Sequence, residues 1–197
     1  MRVIFLRTAQ RRYAIEARRP TYPDVGMDPA PGYDPLLPHD VLHMVVEAEL
    51  GLTRGVFGQL AAGGDAGTFG HDLSPPGDSR ERSRRQRRTK ARGSKLLREG
   101  REQSAQSERA TYICWYEWLA RSEIPARRRL AETMVHQARE VRDMCPSSEA
   151  AALTDEFIQR VSGKLDEISR LWAELDVGEG IEVSWPMLRV ARATDSS

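Results

Sequence analysis

Hydrophobic and polar positions change rhythm along this chain, and each change marks an element. Val3, Ile4, Phe5 and Leu6 form an unbroken apolar run between Arg2 and Arg7, the pattern of a buried strand. Tyr13, Ile15 and Ala17 then alternate with polar or small residues, which predicts a second strand, with residues 8–12 turning between the two. A short third strand is expected near Val25–Met27. Residues 28–38 contain Pro29, Pro31, Gly32, Pro35 and Pro38, so they form an irregular connection. The rhythm next becomes helical. A helix is expected over residues 38–50 with Gly51 as its stop, and a shorter one over 52–62, ended by Gly63-Gly64-Asp65-Ala66-Gly67.

The same period returns after residue 107. Ala110, Ile113, Cys114 and Trp118 share one helical stripe, widened by Tyr112, Trp115, Tyr116 and Leu119. These aromatics read as core and helix–helix packing, with burial against a second subunit as the alternative. Pro125 opens the next helix, which carries Leu130, Met134, Ala138 and Val141. Leu153, Phe157, Val161, Leu165, Ile168, Leu171, Trp172 and Leu175 define a further helix, stopped by Gly178. Ile181, Val183 and Trp185 alternate before Pro186, which predicts a half-buried final strand. The expected fold is α+β. A small antiparallel sheet from the N- and C-terminal strands packs against the His-bearing helix and two or three longer C-terminal helices. Residues 1–70 and 107–197 form one domain around residues 71–106.

Composition explains that interruption. The chain has 197 residues, 40% of them hydrophobic and 30% charged, which points to a solvated stretch within an otherwise ordinary domain. The net charge of +1 hides an uneven distribution. Residues 37–78 carry one basic and six acidic groups, residues 79–110 carry 12 − 4 = +8, and residues 111–197 carry 11 − 15 = −4. Residues 80–92 hold no aliphatic side chain larger than Ala, so 71–106 reads as a basic linker or insertion, or as a solvated helix. Arg84, Arg85, Arg87 and Arg88 are the candidate phosphate contacts, and weak, salt-sensitive, non-specific attraction to nucleic acid is expected of them. Interleaved aromatics, helix-turn-helix spacing and zinc-finger spacing are missing, and pairing with the acidic regions of the same chain accounts for the block equally well. Of the 30 basic residues 27 are Arg, which fits a GC-rich genome and is not by itself a functional signal. Two cysteines are too few for a disulfide scaffold. Apolar runs are too short for a membrane span, and Arg7, Arg11 and Arg12 interrupt any leader-like segment, so a cytoplasmic protein without a membrane partner is expected.

The densest concentration of reactive groups is His39-Asp40-Val41-Leu42-His43-Met44-Val45-Val46-Glu47. At about 100° per residue, His39, His43, Glu47 and Asp40 fall in one stripe roughly 100° wide on an otherwise apolar helix. His39 and His43, one turn apart, can point two imidazoles at one divalent metal such as zinc, as in the His-Glu-x-x-His peptidase motif. Asp40 stands where that motif has Glu and is one methylene shorter. Glu47 lies roughly 12 Å along the axis from His39, too far to share its ion easily. His71, His136 and Glu132 are the remaining third-ligand candidates. The bland alternative makes Asp40 a helix-start cap and His43 a half-buried, hydrogen-bonded histidine. Glu49 falls in the apolar arc, so either the helix frays there or Glu49 needs a partner such as Arg54.

The segment Leu37-Pro38-His39-Asp40-x-x-His43-x-x-Val46-Glu47-x-Glu49-Leu50-Gly51-Leu52, followed by Gly55-Val56-Phe57-Gly58 and Ala61-Ala62-Gly63-Gly64, resembles a family of bacterial proteins without an established activity. The resemblance covers about 65 N-terminal residues and implies no function. The leading expectation is a non-catalytic binding or interaction module, with a protein partner or self-association. The alternative is a metal-dependent hydrolase-like protein, with His39 and His43 as ligands and Asp40 or Glu47 as acid or base.

Overall fold

The computed structural model describes residues 1–73 and 78–193. Residues 74–77, which the sequence places at the start of the basic linker, lie outside the described residues. Strands β1 (Arg2–Ala9) and β2 (Arg12–Arg18) form a hairpin, with Phe5 opposite Ile15 and Val3 opposite Ala17. β3 (Val25–Met27) pairs with β2 through Ile15 and Met27. Two helices follow, α1 (His39–Leu50) and α2 (Val56–Ala61), and then the two-residue strand β4 (His71–Asp72) on the edge of β3. Helices α3 (Ser79–Glu99), α4 (Arg101–Ala120), α5 (Pro125–Asp143), α6 (Ser147–Ala152) and α7 (Asp155–Ala173) occupy most of the second half. The chain returns to the sheet as β5 (Gly180–Ser184), which pairs with β1, and β6 (Val190–Arg192) extends that edge.

The sheet is antiparallel throughout, in the order β4-β3-β2-β1-β5-β6, so the expected α+β arrangement of N- and C-terminal strands with helices is the one observed. Its inner face presents Val3, Phe5, Tyr13, Ile15, Ala17, Ile181 and Val183, all at most 1% exposed. α1 fills the centre with Val41, Leu42, Met44, Val45 and Val46. α7 supplies Phe157, Val161, Leu165, Ile168 and Trp172, and the Trp172 ring meets Tyr13 edge-on at 6.4 Å. At about 25 cal/mol per Å² of apolar surface, that shared core is the largest stabilising contribution to the fold. Gly51 ends α1 in the left-handed region at φ 66°, where its amide bonds back to Ala48 O; a side chain there would be strained.

α3 is a full helix of 21 residues over the basic block, with Asp78 capping its first turn by accepting from Arg80 N at 3.0 Å. Its aliphatic contacts are confined to its C-terminal end, where Leu96 lies against Gly64 and Leu97 near Gly67, so the rest of its docking uses other means. Thr89 and Gly93 are its buried residues, Arg92 stacks over the Tyr22 ring at 4.5 Å, and Gly93 lies against Gly64 and Asp65. A Cβ on Gly93 would stand 2.0 Å from Asp65 Oδ1, so the two backbones meet only because that position is glycine. The glycine-rich loop after α2 is thereby the seat of the basic helix.

Candidate functional site

The polar stripe of α1 is built by three neighbouring elements. α4 runs alongside and presents Ser107 and Thr111, one turn apart on its buried face. Glu47 is 0% exposed, and each of its oxygens is engaged. Oε1 accepts from Val56 N at 2.8 Å and from the Ser107 hydroxyl at 2.9 Å, and Oε2 accepts from Phe57 N at 3.0 Å. Its carboxylate therefore caps the first turn of α2, where free amides and the positive end of the helix dipole favour a negative charge. Burial nevertheless pushes its pKa from 4.5 up to about 7, against the lowering effect of Ser107 and the α2 amides.

His43 is buried beside it, with Nδ1 3.1 Å from Ser107 Oγ and 3.4 Å from Thr111 Oγ1. Ser107 has one hydroxyl proton. When that proton goes to ionised Glu47, Ser107 Oγ can only accept from His43, which fixes His43 with its proton on Nδ1. Nε2 then carries the lone pair, 3.8 Å from the exposed Glu108 carboxylate. Burial, with His39 adding to it, pulls the His43 pKa from 6.5 down to about 4, so the imidazole is neutral. The His39 ring packs edge-on against His43 at 5.0 Å and against Trp115 at 6.0 Å.

Asp40 faces the other way, and its Oδ2 lies 2.7 Å from the Tyr13 hydroxyl, which also lies 2.5 Å from Pro31 O. Burial raises both the Asp40 and the Tyr13 pKa. The Tyr13 hydroxyl donates toward both Asp40 Oδ2 and Pro31 O, tying β2 to the start of α1.

The structure thus brings His39 and His43 together, while Asp40 and Glu47 project to separate partners. His71 lies in β4 and His136 pairs with Glu140 on α5 at 3.6 Å. Among the described residues, no group of three or more His, Cys, Asp and Glu side chains could hold a metal ion. Glu49 pairs with Arg160 of α7 at 3.1 Å, whereas Arg54 is bound to Gln103 and Glu99 O. Glu49 thus has the partner its position requires, but it is Arg160 and not Arg54, because α7 reaches Glu49 and α4 captures the Arg54 loop. Trp118 is buried, donating to Asp166 Oδ1 at 2.9 Å, with Arg127 over its ring at 4.4 Å. Ser107, Glu108 and Tyr13 were not anticipated; the Ser107/Thr111 pair in an apolar stripe was the legible signal.

The second polar region is α3. Arg80, Arg84, Arg87, Arg88, Lys95 and Arg98 are all exposed and fall within about 100° of one another around the helix, over roughly 27 Å of its length. Lys95 is 3.8 Å from Glu99; the other five make no ion pair among the described residues. Arg85 is turned inward, with Nη1 bonded to Glu81 at 3.0 Å and Nε 3.6 Å from Asp72 Oδ2. Of the four arginines singled out from sequence, three therefore face solvent and one docks the helix. Between the inner face of α3, the 65–70 loop and the β3–β4 edge lies a cleft of about 210 Å³. Phe69 and Val25 form its apolar floor, and Arg85, Gln86, Lys90, Asp24, Asp65 and Asp72 its polar wall. No helix among the described residues is long and apolar enough to cross a membrane. No protein-family model, curated protein or solved structure matches the chain.

Proposed function

We propose that this chain is a non-catalytic, cytoplasmic binding module that holds nucleic acid by its phosphates through the outward face of α3. The observation that carries the reading is the stripe of exposed cations on a helix fixed by its opposite face. Arg85, Thr89, Arg92 and Gly93 are used for docking; of the eight other cations of α3, Arg80, Arg84, Arg87, Arg88, Lys95 and Arg98 share one exposed face, while Arg82 and Lys90 are exposed off that face. A protein's own acidic partners would have to lie within reach of those groups, and among the described residues five of the six have none. The polar stripe of α1 supports the non-catalytic part. Glu47 has no exposed surface and its oxygens already accept from two amides and a hydroxyl, and Asp40 is closed by Tyr13.

The test is salt-dependent binding to a short single-stranded DNA. With five or six phosphate contacts, log K should fall with log salt at a slope of about −4, taking roughly −0.7 per contact. Replacing Arg84, Arg87 and Arg88 together by Gln should reduce that slope by about 2 and leave the thermal midpoint unchanged. Binding that is undetectable at low salt, or that survives the triple replacement intact, would sink the reading.

A further inference from the structure

We infer that the outward face of α3 lies in the major groove of a B-form DNA duplex, with Arg87 reading a guanine edge and the cations on either side of it holding the two phosphate backbones. This rests on the phosphate-binding role proposed above and names the form of the nucleic acid and its base contact.

The arrangement around the helix is the first ground. At about 100° per residue, the docking residues Arg85, Thr89, Gly93 and Leu96 lie about 120–180° from Arg87, so Arg87 stands on the side of α3 opposite the domain. Ser83, Ala91 and Ser94 lie within about 40° of it and are exposed. They are small, so this ridge can approach base edges closely, with one long bidentate donor at its crest. Lys90 lies about 60° to one side of Arg87, and Arg84, Lys95 and Arg88 lie about 60–100° to the other, all of them exposed. A helix lying between two backbones needs cations on both flanks, whereas one row suffices for a single strand. The two acids of the helix, Glu81 and Glu99, lie about 120° from Arg87, toward the docked side. They stand 3.0 Å from Arg85 and 3.8 Å from Lys95.

Size is the second. Thr89 and Gly93 are the buried residues of this 21-residue helix, so most of its circumference is free. A helix of about 10–12 Å diameter fits a major groove about 12 Å wide. Ser83 to Ser94 spans about 17 Å, or about five base pairs at roughly 3.4 Å each. Arg80 and Arg98 lie about one turn beyond either end, where the curving groove brings a backbone to them.

Composition and stiffness are the third. α3 has no aromatic side chain on which bases could stack, and the Tyr22 ring beside it carries Arg92. A flexible strand must be ordered along a rigid row of cations, whereas a duplex, stiff over about 150 base pairs, presents its phosphates already in place. An RNA duplex does not serve, because its A-form major groove is too deep and narrow for side chains to read.

The experiment measures fluorescence anisotropy of a short mixed-sequence DNA duplex, its separate strands and the RNA duplex of the same sequence. The DNA duplex should bind at least about tenfold tighter than either strand, the size of one bidentate base contact. Replacing its guanines by 7-deazaguanine removes the N7 acceptor without changing charge or pairing, and should weaken binding at least about fivefold. In Arg87→Gln that difference should vanish while the salt slope on the duplex stays as it was, because a base contact releases no phosphate counterion. Arg88→Gln should keep the difference and reduce the slope by about 0.9. On a single strand, which has no groove, Arg87 meets a phosphate like its neighbours. Both side chains are exposed, and both variants should keep the thermal midpoint. Equal affinity for strand and duplex, tighter binding of the RNA duplex, or indifference to 7-deazaguanine overturns the groove contact while leaving the phosphate role standing. A duplex slope that falls by about 0.9 in Arg87→Gln puts Arg87 on a phosphate and overturns the base contact. Failure of strands and duplex alike to bind overturns the phosphate role as well.

Discussion

Glu47 and Arg19 hold opposite ends of the six-residue helix α2. Glu47 accepts from the amides of Val56 and Phe57 at its start. Arg19, 6% exposed, donates from Nη1 to Leu60 O at 3.1 Å and to Gly64 O at 2.6 Å at its end. Each charge sits where the helix dipole favours it, and a helix this short has no marginal stability of its own. The loop leaving α2 is the seat of α3, so the two buried charges position the basic helix through α2. Both are reached from elsewhere in the fold, Arg19 from the end of β2 and Glu47 from α1.

Removing either cap leaves buried backbone groups unpaired. Glu47→Gln keeps the shape but turns a donor amide toward Phe57 N, and should lower stability by about 1–3 kcal/mol in urea titrations near neutral pH. Arg19→Met leaves Gly64 O and Pro23 O without their donors and Leu60 O with Gly63 N alone, and should cost about 2–4 kcal/mol. A loss below about 0.5 kcal/mol for Arg19→Met would show that α2 holds itself.

The two shifted groups act on stability with opposite sign. Between pH 4.5 and about 7 the folded chain keeps a proton on Glu47 that the unfolded chain has released, so this contribution is lost as pH rises through that window. Between about pH 4 and 6.5 the unfolded chain holds a proton on His43 that the folded chain refuses, so this contribution grows with pH. Each span corresponds to about 3 kcal/mol, and in the shared window the two nearly cancel. Single replacements expose the hidden slopes. Glu47→Gln should be less stable at about pH 5 than at about pH 7, and His43→Gln should be more stable at about pH 5. Parallel pH profiles for the two variants would refute the assignment.

Ser107 links these titrations. With Glu47 ionised, the hydrogen bonds run from His43 Nδ1–H to Ser107 and on to Glu47. With Glu47 protonated, the direction reverses: Glu47 donates to Ser107, Ser107 donates to Nδ1, and the imidazole proton moves to Nε2, facing Glu108. Imidazole 15N shifts should therefore report a change of tautomer centred near pH 7 with His43 neutral on both sides. Ser107→Ala should abolish the change and cost about 1–3 kcal/mol. A tautomer that stays constant through the Glu47 titration would contradict the relay.

The strands, α1 and α7 were legible because one face of each is apolar at a fixed period, as in Val3/Phe5 and Phe157/Val161/Leu165. β4 and β6 were not, since His71-Asp72 and Val190-Ala191-Arg192 carry no alternation of large apolar residues. The stripe His39, His43, Glu47 was legible as a stripe, but its chemistry was not. Whether Glu47 meets a ligand or two amides depends on where residues 56 and 57 fold back, a contact nine and ten residues away. Arg19 gave no signal, since nothing in its sequence neighbourhood distinguishes a buried guanidinium from an exposed one. In α3 the small residues Thr89 and Gly93, spaced one turn after Arg85, do mark a docking face in retrospect.

Gly93 makes the sharpest test of that docking, because two effects oppose each other there. In an isolated helix Gly→Ala is favourable by about 1 kcal/mol, so helix propensity alone predicts that Gly93→Ala stabilises the chain. In the fold the added Cβ meets Asp65 Oδ1 at 2.0 Å, Asp65 Cγ at 2.9 Å and Asp65 N at 3.1 Å. The carboxylate can rotate aside, but only by giving up its bond to Gly67 N, and the backbone amide can yield only if the helix moves off the 63–67 loop. Overpacking of this kind costs about 1–3 kcal/mol, which outweighs the propensity gain. Hydrogen exchange should then show faster exchange in residues 56–70, with α3 amides retaining their own helical protection. A net stabilisation of about 1 kcal/mol with unchanged exchange in that loop would mean that α3 is a solvated helix beside the domain and not docked on it.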